Sequence, residues 1–108
     1  MANTFKNSFS KSVGTSPVTI YTAPALTQTT LIGFSVANTT ASPITCDAYI
    51  TSSAVDYYLI DGATVPVGGS LVIVGGDQKV VLKAADALKI VTSAATSADV
   101  VISYLEIT

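Results

Sequence analysis

The sequence contains seven carboxylates, which are its main candidates for general acid-base catalysis. General acid-base chemistry near neutral pH usually requires a histidine, or a carboxylate whose pKa is shifted by a partner in a cleft. The chain contains no histidine. Its aspartates fall in predicted turns or on outward strand positions, a pattern typical of solvated carboxylates; they are Asp47, Asp56, Asp61, Asp77, Asp86 and Asp99. The spacing predicts no catalytic pair, although folding could still bring two of them together.

The candidate nucleophiles lack the partners that would activate them. Cys46 is the only cysteine, and no histidine or arginine is present to lower its pKa. It alternates with Ile44 and Ala48, which predicts an inert thiol in the core. Serines are numerous, but without histidine no Ser-His-Asp arrangement can form. We therefore predict that the protein is not an enzyme and has no catalytic residues.

Metal and cofactor sites are also disfavoured. A single cysteine and no histidine argue against zinc, copper and haem. Asp61-Gly62 and Gly76-Asp77 could supply oxygen ligands to calcium, but calcium-loop spacing is absent and turn chemistry explains both pairs. Gly68-Gly69 and Gly75-Gly76 do not match a phosphate-binding loop. The sequence predicts neither a metal site nor a cofactor.

The amino-acid composition limits the kinds of partner that this protein could bind. Charged residues make up only 11% of the chain and the net charge is −2, against about 25% charged in typical soluble domains. The basic residues are five lysines with no arginine, which argues against nucleic acid. No apolar run approaches the roughly 18 residues of a membrane span, and the N-terminus has no signal-peptide pattern. We expect synthesis in the cytoplasm, without secretion by a signal peptide and without membrane contact.

The elements that must position these residues are short strands. Runs rich in Val, Ile, Thr and Tyr recur every 8–12 residues or so between turn residues, which indicates a sandwich or barrel. The run from Ile44 to Thr51 is the clearest: Ile44, Cys46, Ala48 and Ile50 alternate with Thr45, Asp47, Tyr49 and Thr51, so one face is predicted buried and the other wet. About eight such runs predict an all-β antiparallel sandwich of jelly-roll or immunoglobulin-like order. Residues 84–86 are interpreted as a tight hairpin.

Residues 1–16 do not show strand periodicity and are interpreted as an extended N-terminal arm, with residues 17–108 forming the sandwich domain. Phe5 and Phe9 are spaced apolar side chains in this polar segment. The arm is either a frayed terminus or a strap that docks on a neighbouring subunit. On the second interpretation, Phe5 and Phe9 are interface residues.

Three tyrosines complete the candidate contact residues. Tyr49, Tyr57 and Tyr58 could serve as stacking platforms for a sugar. Tyrosine is nevertheless commoner at sandwich edges and protein interfaces, and no tryptophan platform accompanies these residues. We predict that they are interface residues and keep a glycan- or receptor-binding module as an alternative.

Several segments together resemble small virion proteins of tailed bacteriophages. They are Thr15 to Pro24, Leu31 to Asn38, Val65 to Leu71, Val80 to Leu88 and Ser103 to Ile107. In such proteins a glycine usually precedes the aspartate of a Leu-x-x-Gly-Asp hairpin. Here Ala85 takes that place, which predicts a less tight turn.

The resemblance implies a non-enzymatic structural protein located in the virion. A capsid decoration or cement protein is the leading hypothesis, with a neck, tail or fibre component as its alternative. Partners would be other virion proteins, such as major capsid or tail proteins, and further copies of the chain in a homo-oligomer. Few charges and a surface rich in Ser and Thr are compatible with such contacts.

Overall fold

The computed structural model describes residues 2–75 and 79–108, which form nine β-strands and no helix. The strands are β1 (Asn3–Val13), β2 (Val18–Thr22), β3 (Gln28–Asn38), β4 (Ile44–Ser52), β5 (Val55–Val65), β6 (Ser70–Val74), β7 (Val80–Leu82), β8 (Ala87–Thr92) and β9 (Ala98–Ile107). All strand pairs are antiparallel and form two sheets. The predicted all-β sandwich is confirmed.

The strand order is that of a jelly roll. Sheet A has the order β1-β9-β3-β6, with β7 also paired to β3, and sheet B has the order β2-β8-β4-β5. Along the chain β1, β2, β3 and β4 alternate between the two sheets, as do β7, β8 and β9. This alternation selects the jelly-roll order over an immunoglobulin-like one, in which the first two strands share a sheet.

The extended N-terminal arm is not confirmed, because Asn3–Val13 is β1, an edge strand of sheet A paired with β9. Backbone hydrogen bonds hold it at both ends: the Ala2 amide donates to the Thr108 carbonyl, and the Ser97 amide to the Val13 carbonyl. Sequence patterning missed the strand because its inward positions are polar, and its phenylalanines lie on the outward face. This strand brings the number from the predicted eight to nine.

The core lies between the sheets and is built from alternating inward residues. Phe34 is the largest fully buried side chain, at 1% exposure, and Leu31, Leu82, Leu88, Ile90 and Ile102 are fully buried with it. The alternation predicted for β4 is confirmed for Ile44, Cys46 and Ala48, which are all buried. Bringing these side chains together from both sheets is the main stabilisation of a domain of this size.

The connection through residues 84–86 is not a hairpin. It carries the chain from β7 in sheet A to β8 in sheet B, which pairs with β2 and β4. The turn is nevertheless tight, because the Asp86 amide donates to the Lys83 carbonyl at 3.0 Å and the Asp86 carboxylate accepts from the Lys83 amide at 3.0 Å. Ala85 adopts a left-handed conformation with φ of 72°.

Replacing Ala85 by glycine is expected to raise the free energy of unfolding by roughly 0.5–1 kcal/mol. A residue with a Cβ costs about 1–2 kcal/mol in the left-handed region, and the greater freedom of glycine in the unfolded chain offsets part of that gain. Ala84→Gly is the matched control, since Ala84 is also exposed but has no positive φ, and it should lower stability. Urea unfolding measures both variants. An Ala85→Gly protein less stable than the parent would contradict the prediction.

The turn expected at Asp61-Gly62 is not found, because both residues lie within β5. β5 continues through both residues to Val65, and the register with β4 shifts at this point. Gly62 has φ of 69°, and its amide donates to the Asp47 carboxylate at 2.6 Å. The pair is thus a β-bulge within the strand, where glycine supplies the left-handed residue. Gly76 and Asp77 lie outside the described residues.

Candidate interaction surface

The outward face of sheet A carries two rows of side chains that cross the sheet and are apolar except for one hydroxyl residue of β3 in each row. In the first row Phe9 lies opposite Val101, Val101 opposite Ser35, and Ser35 opposite Val72. Phe9 is 67% exposed, and Val101 and Val72 are also exposed. The register of four strands therefore assembles an apolar ridge from residues that are far apart in sequence.

The second row runs parallel to the first, four residues nearer the start of β1. Phe5 lies opposite Leu105, Leu105 opposite Thr30, and Thr30 opposite Val81. Phe5 is 76% exposed and Val81 is exposed. Four residues of a β-strand span about 13 Å, so the two ridges are separated by roughly that distance.

A valley of small and polar side chains separates the ridges. Asn7 lies opposite Ser103, and Ser103 opposite Gly33. A Cβ built on Gly33 would meet no atom within 4 Å, so the space above it is open. The adjoining depression has a volume of about 220 Å³ and is lined by Phe5, Lys6, Asn7, Ile32, Ser103 and Tyr104. We call the two ridges and the valley the outer face of sheet A.

The charges near this face form ion pairs: Lys6, which lines the depression, is paired with Glu106, and a second pair lies at the rim. At one end of β1 the Lys11 ammonium lies 3.2 Å from the Asp99 carboxylate, with both side chains accessible to solvent. The amide of Ser12 and the Lys11 ammonium both donate to that carboxylate and lower the pKa of Asp99. An uncharged centre with a polar rim is the usual anatomy of a protein interface.

A buried polar cluster holds β1 in the position that presents the phenylalanines. Glu106 on β9 is only 6% exposed. Its carboxylate accepts a hydrogen bond of 2.6 Å from the Tyr21 hydroxyl and lies 2.8 Å from the Lys6 ammonium. The Tyr21 hydroxyl is also hydrogen bonded to Thr29, and the Tyr21 ring packs against Tyr104 with centroids 4.3 Å apart. Because Tyr21 belongs to sheet B, the cluster joins both sheets to β1.

The electrostatics of this cluster stabilise the charged pair. The hydrogen bond from Lys6, followed by that from Tyr21, lowers the pKa of Glu106 below its usual value. The same hydrogen bond to Glu106 raises the pKa of Lys6. Burial, with a further contribution from Glu106, raises the pKa of the Tyr21 hydroxyl. The carboxylate is thus ionised and already hydrogen bonded, which suits a structural role in fastening β1.

Sequence reasoning did not identify Glu106 as a core residue, although a signal was present. Val100, Ile102 and Tyr104 alternate inward along β9, and the next residue in that phase is Glu106. A carboxylate at an inward position requires partners. Those partners, Lys6 and Tyr21, come from strands remote in sequence, so only the folded register identifies them.

Replacing Lys6 by methionine is expected to move acid unfolding to a higher pH. In the folded chain the pKa of Glu106 is lowered, so the ionised carboxylate stabilises the fold at pH values above the usual pKa of glutamate. That stabilisation is lost as the pH falls through the lowered pKa. Without the Lys6 ammonium the pKa of Glu106 is lowered much less, so Glu106 becomes protonated at a higher pH. Circular dichroism across an acid titration measures the midpoint.

Lys11→Met on the same strand is the control for this titration. Its partner Asp99 is more solvent-accessible and keeps the hydrogen bond from the Ser12 amide, so the midpoint should change little. Equal midpoints for Lys6→Met and the unmodified chain would contradict the role of the cluster.

The three tyrosines singled out in the sequence do not converge. Tyr49 lies on the outward face of sheet B but is only 7% exposed, and the predicted wet position is wrong because the Tyr58 ring covers it with centroids 4.9 Å apart. Tyr58 and Tyr57 are exposed neighbours on β5 that point to opposite faces of sheet B. The three side chains therefore do not form one stacking platform.

The remaining candidate groups do not form a chemical site. Cys46 is buried, as predicted, and burial raises the pKa of its thiol. Asp47, Asp56 and Asp86 each accept a hydrogen bond within sheet B or its turns. Across residues 2–75 and 79–108, no group of three or more Cys, Asp and Glu side chains is placed to hold a metal ion. The same residues include no helix that could span a membrane.

Comparisons with known proteins identify the fold and no family. No protein-family model and no curated protein matches the chain. Among solved structures, the nucleoplasmin-like N-terminal domain of Drosophila FKBP39 is similar with a TM-score of 0.52 and 13% identity, over 98% of this chain and 91% of that one. A protein of the Bacillus endospore appendages, described as disulfide-linked pili, is similar with a TM-score of 0.55 and 13% identity, over 99% of this chain and 87% of that one. At such identities the likeness extends to the fold alone.

Proposed function

We propose that this chain is a structural protein without catalytic activity that acts by packing against other subunits of an assembly. The observation that carries the proposal is the outer face of sheet A, where the rows that begin with exposed Phe5 and Phe9 cross the sheet and are apolar except at β3. Contiguous apolar patches of this kind mark interaction surfaces in soluble proteins. Because the centre of the face is uncharged, the matching surface is also apolar or uncharged.

The assembly that we propose is a virus particle, in which the chain decorates or cements the capsid. Support comes from the resemblance of its strand and turn segments to small tailed-phage virion proteins and from the low share of charged residues, 11%. The endospore pilus protein, which has the same fold, belongs to a different kind of assembly. In a capsid, subunits of this type would stabilise the shell by burying apolar surface across subunit joints.

Immunogold electron microscopy tests this function. An antiserum against the purified chain is applied to phage particles purified from the source of the sequence, with pre-immune serum as the control. Label distributed over intact heads supports a decoration or cement protein. Label confined to the neck, tail or fibres supports the alternative location, and particles without label contradict a virion role.

A further inference from the structure

We propose that the outer face of sheet A is an interface between two copies of this chain, with the Phe9 ridge of each copy seated in the valley of the other. This inference rests on the proposed function as an assembly subunit and names its first partner. Three observations carry it: the size of the face, its relief, and the position of its charges.

The outward side of sheet A approaches the size that a stable dimer needs. Strands lie about 4.8 Å apart and rise about 3.3 Å per residue. Four strands therefore cover roughly 300 Å² in projection from the Phe5 ridge to the Phe9 ridge, and roughly 600 Å² over the ten residues of β9. The accessible area is larger because the phenylalanines and valines protrude. Specific interfaces bury roughly 800 Å² per partner, so the interface extends beyond the ridges along the outward side of the sheet.

The ridges and the valley of the outer face of sheet A allow two copies of the face to fit together. Two sheets that pack face to face lie about 10 Å apart, with side chains of one interdigitating with those of the other. The Phe9 ridge and the valley through Gly33 are separated by two residues along β1, from Phe9 to Asn7. A two-fold axis between these rows, running across the strands, places each Phe9 ridge over the other copy's valley. Each copy then offers one ridge and receives one, as a symmetric dimer requires.

The charges also favour a second copy over a charged partner. The side chains of the two ridges and of Asn7 and Ser103 are apolar or uncharged. Lys6 lines the depression beside them and is paired with Glu106, and Lys11 and Asp99 form a second pair at the rim. The two-fold axis places the Phe5 ridge of each copy over the paired Lys11 and Asp99 of the other, so no like charges meet across the interface. A strongly basic or acidic partner would have to bury charges without compensation, which is unfavourable.

Gly33→Lys tests the interface while leaving the fold intact. Gly33 has no positive φ, and a Cβ there meets no atom within 4 Å, so the lysine side chain extends from the sheet into the valley. Sedimentation equilibrium of the full chain should show dimerisation weakened by at least about a hundredfold, because a buried ammonium without a partner replaces an open space. Thermal unfolding of the monomer should be unchanged or improved, since glycine is a weak strand residue.

Two controls accompany this variant. Gly33→Ser keeps a small side chain in the valley and should retain the dimer. Val67→Lys places the same charge at an exposed apolar position outside the sheets and should also retain it. Dimerisation that is unaffected by Gly33→Lys, or a wild-type chain that never dimerises, overturns the proposed interface. The virion role is decided separately by the immunogold label, so the two proposals fail independently.

Discussion

The Phe34→Ala protein is expected to lose about 3–5 kcal/mol of unfolding free energy. Phe34 is the largest fully buried side chain, and it lies between the sheets on β3. Its removal forfeits the transfer free energy of a phenyl ring and leaves a cavity that neighbouring strands cannot fill. The total free energy of unfolding of a domain is roughly 5–15 kcal/mol, so the Phe34→Ala variant should unfold at a much lower urea concentration.

Phe9→Ala provides the matched comparison, because it removes the same side chain from the outward face. Phe9 is 67% exposed, so the stability of the isolated chain should change by no more than about 0.5 kcal/mol. Its effect should appear in self-association, which the same substitution weakens. A large loss of monomer stability in Phe9→Ala would show that the ring packs within its own chain and does not belong to an interface.

Removing the Glu106 carboxylate is expected to give the second largest effect, a loss of about 2–3 kcal/mol in Glu106→Ala. The substitution removes the acceptor of a 2.6 Å hydrogen bond from Tyr21 and the partner of Lys6, and it leaves space in the core. Glu106→Gln keeps the shape and an acceptor for Tyr21, so it should lose less. Urea unfolding at neutral pH ranks the three proteins.

The pH dependence distinguishes this effect from simple loss of packing. The unmodified chain should lose stability as pH falls through the native pKa of Glu106, which lies below the usual value for glutamate. Glu106→Gln has no group to protonate there, so its acid limb should be shallower. Identical acid limbs in the two proteins would contradict an ionised, stabilising Glu106.

Much of the sandwich could be predicted because its central strands follow the simple rule of alternation. Ile44, Cys46 and Ala48 repeat with period two and are buried as predicted. The prediction failed for β1 because Lys6 and Ser8 lie inward and Phe5 lies outward. Strand detection by apolar pattern assumes an apolar inward face, and here the inward face is stabilised by hydrogen bonds and an ion pair instead.

The candidate surface could be predicted only in part. Phe5 and Phe9 were identified because they had no apolar partners nearby in sequence, and their role in an interface stays a prediction. Their neighbours Val101 and Val72 depend on the register between β1, β9, β3 and β6, which includes a bulge between Leu31 and Gly33. No local pattern encodes that register. The open space above Gly33 likewise follows from the strands beside it.

The mass of the purified chain in solution tests the central claim most directly. Light scattering coupled to size exclusion, over a concentration series at physiological salt, reports whether the chain associates with its own copies. We predict a mass that rises to twice the 11.0 kDa of one chain as concentration increases. A mass of 11.0 kDa at every concentration would contradict the claim that this protein assembles with its own copies.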